Sequence, residues 1–442
     1  MVRDRRSVKI DVSRCPRDLE PLLTLNPIPV KILLLLSSFG GAMTIGLSAC
    51  TPDQQASSVR DAEPSLAAST PNGEANSPRS TAFAPTVAKS FKVETVTEGL
   101  EVPWGIEFLP DRFSKGATPT ILVTERPGRL RIVRNGKLDP NPISGLPTIV
   151  ARGEGGLMDL ALHPKFGQNR WLYLAYTIEG NGGLLQTRVS RFRLTDRGLT
   201  EKLDIFPGVP GTAAGNHFGS RLAFGQDGKL YITLGERGEP KRAQNLQNLN
   251  GKTLRLNDNG TVPTDNPYIG RSDARPEIFS FGHRNAQGLA IQPKTGAIFQ
   301  TEHGPSGYDG RQGGDEVNVV EAGKNYGWPN ISYDRQAPGQ LPPLLLYQDP
   351  IAPSGATFYT GTVFPQWQGN FFFTNLRGRT LIRVALNGIK VVGQEKLLQQ
   401  QYGRLRDVKQ GPDGFLYIAT SDNDGYGDGR VGGDRLIRLV PN

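Results

Sequence analysis

Cysteine is almost absent. The 442-residue chain has two, Cys15 and Cys50, which excludes a disulfide-dense scaffold. Long apolar runs are missing beyond the first fifty residues, so no internal segment reads as a membrane-spanning helix. No run of Lys or Arg marks a nucleic-acid surface, although the formal net charge is +9. There are four His, and no His/Cys spacing suits zinc. Glycine and proline are abundant: 54 and 34 residues, without a collagen period. That composition argues against a coiled coil or a helical bundle and for a turn-rich fold of many short strands.

The N-terminus reads as targeting. Arg3, Arg5, Arg6, Lys9, Arg14, Arg17 and Lys31 precede an apolar run, 32–47, that ends in Leu47-Ser-Ala-Cys50. Small residues before a cysteine resemble a bacterial lipobox, so residues 1–49 are expected to be a lipoprotein signal peptide. Cys50 is then the lipidated first residue; an ordinary signal peptide or a short membrane anchor are the alternatives. Loss of residues 1–49 removes seven basic and four acidic residues together with Cys15, leaving about +6 and no cysteine pair. Residues 50–88, rich in Ser, Ala, Pro and Thr, are too poor in large apolar groups to offset ordering entropy and read as a flexible tether.

From residue 89 onward a unit recurs six times, a Pro/Gly/Asp loop followed by a β-rich run. Its loops contain Leu109-Pro110, His163-Pro164, Gly225-Gln-Asp-Gly228, Gln292-Pro-Lys-Thr-Gly296, Phe364-Pro-Gln-Trp-Gln-Gly369 and Gly411-Pro-Asp-Gly414. The spacings are 54, 62, 67, 72 and 47 residues, enough for four strands and variable loops. Each loop reads as the turn between the first and second strands of a blade. Asn135-Gly136, Asn259-Gly260 and Asn387-Gly388 read as hairpin turns. The expected fold is all-β, a six-bladed propeller of four-stranded blades over residues 89–442; a sandwich array or two barrels are the alternatives.

In a propeller the first strand of each blade lines the central channel, and the loops entering those strands share one face. Glu154 lies 10 residues before Pro164, and His217 lies 9 before Gln226. Arg284 and Asn285 lie 9 and 8 before Pro293, and Arg404 and Arg406 lie 8 and 6 before Pro412. Polar groups from four units are thus expected to meet at one end of one channel. Arginine forks match carboxylates bidentately, so the set suits a multiply anionic planar ligand; solvated or ion-paired loop arginines are the plain alternative. His217, in a Gly-flanked loop, is the candidate general base. His163 reads as structural, and His283 and His303 as structural or supporting. The oxygen-rich stretch Thr301–Pro329 suits a hard cation such as calcium, or is a solvated acidic loop.

Several blocks carry a resemblance. They are Gly153-Glu-Gly-Gly-Leu157 with His163-Pro164, Gly215-Asn-His-Phe-Gly-Ser-Arg-Leu222 and Leu249-Asn-Gly-Lys252, then Gly282-His-Arg-Asn-Ala-Gln-Gly288, Glu302-His-Gly-Pro305, Gly323-Lys-Asn-Tyr-Gly-Trp-Pro329 and Arg404-Leu-Arg-Asp407. Together they resemble the soluble quinoprotein glucose and aldose sugar dehydrogenases, over roughly residues 95–440. The resemblance implies a propeller carrying pyrroloquinoline quinone (PQQ) and calcium, which oxidises the anomeric hydroxyl of an aldose to a lactone. It implies His217 as base, and Glu154, Arg284, Asn285, Arg377, Arg404 and Arg406 around the cofactor. Gly304 and Pro305 match carbonyl ligands of a cofactor-bound calcium, and Glu316 and Tyr326 a second calcium site. The chain departs from soluble glucose dehydrogenase in Glu154, Asn216 and Arg377. It also has an apparent insertion at 307–312 and a short 328–354 stretch, which favours the aldose sugar dehydrogenase branch.

Two other classes remain open on sequence: a calcium-dependent six-bladed lactonase or hydrolase, and a non-catalytic propeller binding module. The sugar and the electron acceptor are not named by the residues. Nucleic acid is not expected as a partner, membrane contact is expected only through Cys50, and the chain is read as a monomer in the cell envelope or periplasm.

Overall fold

The computed structural model describes residues 83, 91–110, 118–208, 211–333, 335–429 and 433–442. They belong to one compact unit, Asn72–Asn442. The expected signal peptide, Cys50 and the tether lie outside the described residues, apart from Phe83. That ring packs near Tyr347, with centroids 6.4 Å apart, and under Lys396 Nζ at 4.3 Å.

The described chain is strands joined by turns, in six antiparallel four-stranded sheets. A first strand, β1 (Phe91–Leu100), is set aside for closure. Blade one is β2 (Pro103–Phe108), β3 (Ile121–Glu125), β4 (Arg129–Arg134) and β5 (Lys137–Leu138). Blade two is β6 (Leu157–Leu162), β7 (Trp171–Glu179), β8 (Leu185–Thr195) and β9 (Gly198–Phe206). Blade three is β10 (Gly219–Phe224), β11 (Leu230–Leu234), β12 (Lys252–Leu256) and β13 (Ile278–Phe281). Blade four is β14 (Ala286–Ile291), β15 (Ile298–Glu302), β16 (Asp315–Val320) and β17 (Leu345–Tyr347). Blade five is β18 (Pro353–Phe358), β19 (Phe371–Asn375), β20 (Thr380–Asn387) and β21 (Lys390–Leu397). Blade six is β22 (Leu405–Gln410), β23 (Leu416–Thr420) and β24 (Asp434–Pro441), completed by β1 pairing antiparallel with β24. Six blades closed in this way, N-terminal strand onto last blade, form the expected β-propeller.

The first strands β2, β6, β10, β14, β18 and β22 neighbour one another around the axis. Each blade face meets another blade, so the second strands are largely buried on both faces and mostly apolar rather than alternating; Leu230-Tyr-Ile-Thr-Leu234 is buried at every position. Each of the six seams holds its own hydrophobic cluster. All six Pro/Gly/Asp loops fall between first and second strands, as read from the sequence. Asn135-Gly136 and Asn387-Gly388 turn β4 into β5 and β20 into β21. Asn259-Gly260 does not join adjacent strands. It makes a local turn, Asn257 N to Thr261 O at 2.9 Å, at the start of a long excursion between β12 and β13.

Every first strand carries a register irregularity near its entry end: 103/106, 157/160, 219/222, 286/288, 353/356 and 405/407. Bulges re-aim side chains and recur beside sites. Here six of them turn the entering residues toward one mouth of the channel. Below that mouth the channel is plugged by Arg221, which bridges Asp159 at 3.1 Å and Asp407 at 3.0 Å and lies 4.2 Å over the Trp104 ring.

Candidate active site

The mouth of the channel holds a cavity of about 410 Å³. Glu154, Asn285, Arg377, Arg404 and Arg406 line it, with Trp104, Met158 and Phe218 as its apolar part. The lining contains four arginines, Arg126 being the fourth, against two carboxylates, Glu154 and Asp424. Arg126 and Arg377 have no carboxylate partner among the described residues. Arg404 is held by Asp424 through Nε at 2.9 Å and Nη2 at 2.8 Å. Arg406 reaches Asp424 only at 3.6 Å and Gln287 Oε1 at 3.1 Å. Burial pulls Arg406 down to about 10, which leaves it charged at neutral pH. A buried cation pair with incomplete compensation favours an anion in the cavity.

His217 sits beside this cavity in the loop between β9 and β10, in the left-handed region at φ 53°. That conformation is uncommon for a histidine and is held from several sides. Glu154 Oε2 accepts from His217 N at 2.8 Å. Arg237 donates to the carbonyls of Ala214, at 2.6 Å, and Asn216, and its guanidinium lies 3.4 Å over the Phe218 ring. Asn285 Oδ1 accepts from Gly219 N at 3.0 Å. A Cβ on Gly153 would collide with the Gly215 carbonyl, and one on Gly235 with that of His217; glycine permits both approaches. The Nδ1 of His217 bonds the buried carboxylate of Glu236. A carboxylate only accepts, so Nδ1 carries the proton and the lone pair is on Nε2. Glu236 thus supplies the acid that Asn216 lacks.

Arg284 does not line the cavity. It is buried beside it, with Nε on Asp309 Oδ2 at 2.7 Å and its backbone N on Glu302. His303 does line the cavity; burial first, then Arg284 and Arg406, hold it well below the usual histidine range, so it is neutral. Its Nε2 is buried without a hydrogen-bond partner, and so is Arg406 Nε. His283 is structural, between Ser280 Oγ at 2.8 Å and Glu302 at 2.9 Å. His163 lies in the β6–β7 turn at the other end of the blade.

Gly304 and Pro305 lie in the loop between β15 and β16, whose Ser306 and Gln312 reach the cavity. The Pro305 carbonyl accepts from Gly313 N at 3.1 Å, which leaves one lone pair. Glu316 and Tyr326 are not brought to the cavity. Glu316 stands directly across the ladder from Glu302, and Asn318 Nδ2 bridges toward both, at 3.1 and 3.5 Å. Desolvation and the facing Glu302 push Glu316 up to about 8. The Tyr326 ring stacks on His283, with centroids 4.8 Å apart, and its hydroxyl donates to Val319 O at 2.6 Å.

Sequence reasoning missed Glu236 and Asp424. It looked only at loops entering the first strands, whereas these acids follow the second strands, β11 and β23, which run back to the same face. Glu125 and Glu302 end β3 and β15 in the same way. An acid recurring at the exit of the second β-rich run was the available signal.

Comparison with known proteins agrees with this geometry. Residues 100–431 match the family model for glucose/sorbosone dehydrogenase. The chain is similar to aldose sugar dehydrogenase YliI of Escherichia coli (strain K12), 40% identical over 348 residues, covering 75% of this chain and 91% of that protein. Among solved structures it is similar to the soluble aldose sugar dehydrogenase of Escherichia coli in its apo form, with 37% identity, TM-score 0.71, and 80% of this chain and all of that one covered. The PQQ-bound form of an aldose sugar dehydrogenase from Streptomyces coelicolor matches at 30% identity and TM-score 0.68, over 81% of this chain and all of that one.

Proposed function

Since the chain belongs to the glucose/sorbosone dehydrogenase family and is a sugar dehydrogenase, we propose that it oxidises aldoses at the anomeric hydroxyl to the lactone, with PQQ in the channel-mouth cavity and calcium as its metal. The observation that carries this reading is the surplus of arginine around a cavity of about 410 Å³ beside a histidine–glutamate pair. PQQ is a planar tricarboxylate, and the donor set fits it. The cavity offers Arg377, Arg404 and Arg406 as forks, the unpartnered Arg406 Nε and His303 Nε2, and the flat Trp104. Bound there, the quinone would supply two-electron, hydride-accepting chemistry.

The chain's own residues supply the proton chemistry. Nε2 of His217 takes the proton of the sugar's anomeric hydroxyl as the C–H electron pair leaves the carbon. The ring is then an imidazolium, and the Glu236 carboxylate on Nδ1 holds both its orientation and its charge. Glu154, bonded to the His217 backbone, fixes the loop that aims the ring. The apolar Phe218, Met158 and Trp104 limit water in the cavity.

For calcium, Gly304 and Pro305 lie between His303 and Ser306, both of which line the cavity, and their carbonyls are the candidate ligands. The Glu302–Glu316 pair, with the buried Asn318 Oδ1 lacking a partner, forms an all-oxygen set suited to a hard cation. The leader ending at Cys50 supports export as an envelope lipoprotein. Replacing Cys50 should abolish incorporation of a labelled fatty acid.

The test is reconstitution of purified protein with PQQ and Ca²⁺, followed by dye reduction with several aldoses. Sugar-dependent dye reduction is expected. Lactone cleavage without dye reduction would establish a hydrolase instead, and failure to retain PQQ a binding module.

A further inference from the structure

His217 Nε2 is covered by a residue from the loop between β15 and β16. The Tyr308 hydroxyl lies 2.8 Å from Nε2, and the two rings are near-parallel, 19° apart with centroids at 6.2 Å. Asn216 Nδ2 donates to the same hydroxyl at 2.9 Å, and Arg284 Nη2 at 3.4 Å. The tyrosine proton therefore points to Nε2, the one basic position left on a ring whose Nδ1–H is engaged by Glu236. A sugar hydroxyl cannot donate to Nε2 while Tyr308 does.

The next residue makes a second contact with the site. Asp309 Oδ2 accepts from Arg284 Nε at 2.7 Å, and Asp309 Oδ1 accepts from Ser306 N at 2.8 Å. The rest of the Arg284 fork goes to Ser306 Oγ at 3.0 Å and the His303 carbonyl at 3.4 Å. Arg284, a residue expected to grip a ligand carboxylate, grips a carboxylate of its own chain. The pair is shielded: the side chains of Arg284 and Asp309 are 2% and 7% exposed. Breaking such a pair without replacing the anion leaves a buried charge uncompensated. Tyr308 itself is 67% exposed, anchored by its hydroxyl end. Gly307 and Gly310, at φ 101° and 153°, flank the two residues, and a Cβ on Gly307 would meet nothing within 4 Å. Such glycines allow the segment between them to swing.

We propose that Tyr308 and Asp309 form a latch released by carboxylate exchange. Asp309 stands on Arg284 where a carboxylate of the anionic ligand binds. When the ligand's carboxylate replaces it, the segment leaves and Tyr308 lifts from His217. Anion binding and exposure of the base are then one event, so the base is free only in a protein whose anion site is filled. The ligand class rests on the proposed PQQ function; the internal coupling of Asp309 to His217 does not.

The test separates the two. Diethyl pyrocarbonate labels accessible neutral imidazole, and labelling of His217 is read by peptide mass against His163, which lies at the far end of the blade. No cofactor is needed. D309N, which removes the competing charge one residue away from the cap, is expected to raise His217 labelling by on the order of tenfold, the effect of about 1.4 kcal/mol. It is also expected to tighten PQQ binding, read by equilibrium dialysis with Ca²⁺. Y308F is expected to raise labelling while leaving PQQ affinity within about twofold, because it removes the cap and keeps the clasp. Labelling of D309N at the wild-type rate overturns the latch. Should D309N fail to fold, Y308F decides: unchanged labelling overturns the proposal. Raised labelling in D309N together with no PQQ retained by any form supports the latch and overturns PQQ as its ligand.

Discussion

Replacing Glu236 by Gln tests how the base works. Glu236 is fully buried; one carboxylate oxygen bonds His217 Nδ1 and the other, Oε2, has no partner. In the proposed reaction Nε2 takes the substrate proton, so the ring would become a cation and the bond to Glu236 charge-assisted. Such bonds contribute about 1.5–3 kcal/mol against roughly 1 for neutral ones. Loss of the charge should therefore raise the barrier by about 1–2 kcal/mol, roughly one order of magnitude in rate. Should the amide turn its NH2 toward Nδ1, the proton moves to Nε2 and the loss is far greater. We expect kcat for E236Q to fall at least tenfold in dye reduction at saturating aldose, with KM changed by less than about threefold. Stability should move the other way. A buried anionic oxygen without a partner is destabilising, and glutamine removes that charge, so Tm should hold or rise. A variant that turns over within about threefold of wild type, or that loses stability and activity together, would refute the assignment of Glu236 to the base.

Two further outcomes follow from the same geometry. H217A should bind PQQ with wild-type affinity in dialysis yet lose on the order of 10²- to 10⁴-fold in kcat, the range expected for loss of a general base. Glu316 gives a pH dependence: burial and the facing Glu302 push it up to about 8, well above its ordinary value of 4.5. Its stabilisation is complete below about 4.5 and is lost as pH rises through about 8, because the folded state holds the extra proton in between. Discounted for partial exposure, the loss should be roughly 1–2 kcal/mol in urea melts of metal-free wild type between pH 5 and 8.5. It should be absent in E316Q and should disappear in wild type when millimolar Ca²⁺ occupies the Glu302–Glu316 pair. An equal pH response in E316Q would remove Glu316 from this role.

The propeller was legible because its punctuation is local. Each unit begins with a turn whose Pro, Gly or Asp residues have a steric reason to be there, followed by a run such as Phe415-Leu-Tyr-Ile-Ala419 that has no solvent face. Counting back from those turns was enough to bring Glu154, Asn285, Arg404 and Arg406 to one cavity, since all six entries are built alike. Asn259-Gly260 shows where local reading stops. The dipeptide favours a tight turn, and it makes one, but whether the flanking strands pair is decided by the blade, which inserts residues 257–277 between them. Glu236 and Tyr308 lie 19 and 91 positions from His217; the acid recurring after the second strands marks Glu236, whereas no repeat position marks Tyr308. Glu236 meets His217 at the end of the β10–β11 ladder, where Gly219 faces Leu234, and the ion pair that takes Arg284 off the cavity wall onto Asp309 lies within blade four; Tyr308 reaches His217 because blades three and four are neighbours.

A PQQ titration shows directly whether the arginine-rich channel mouth holds a tricarboxylate quinone, as proposed. Wild type with Ca²⁺ should retain one PQQ per chain, and R406A, which removes a buried fork with an unpartnered Nε, should bind about 10- to 100-fold more weakly while keeping its fold. Equal affinity in wild type and R406A, or no retention by either, would contradict it.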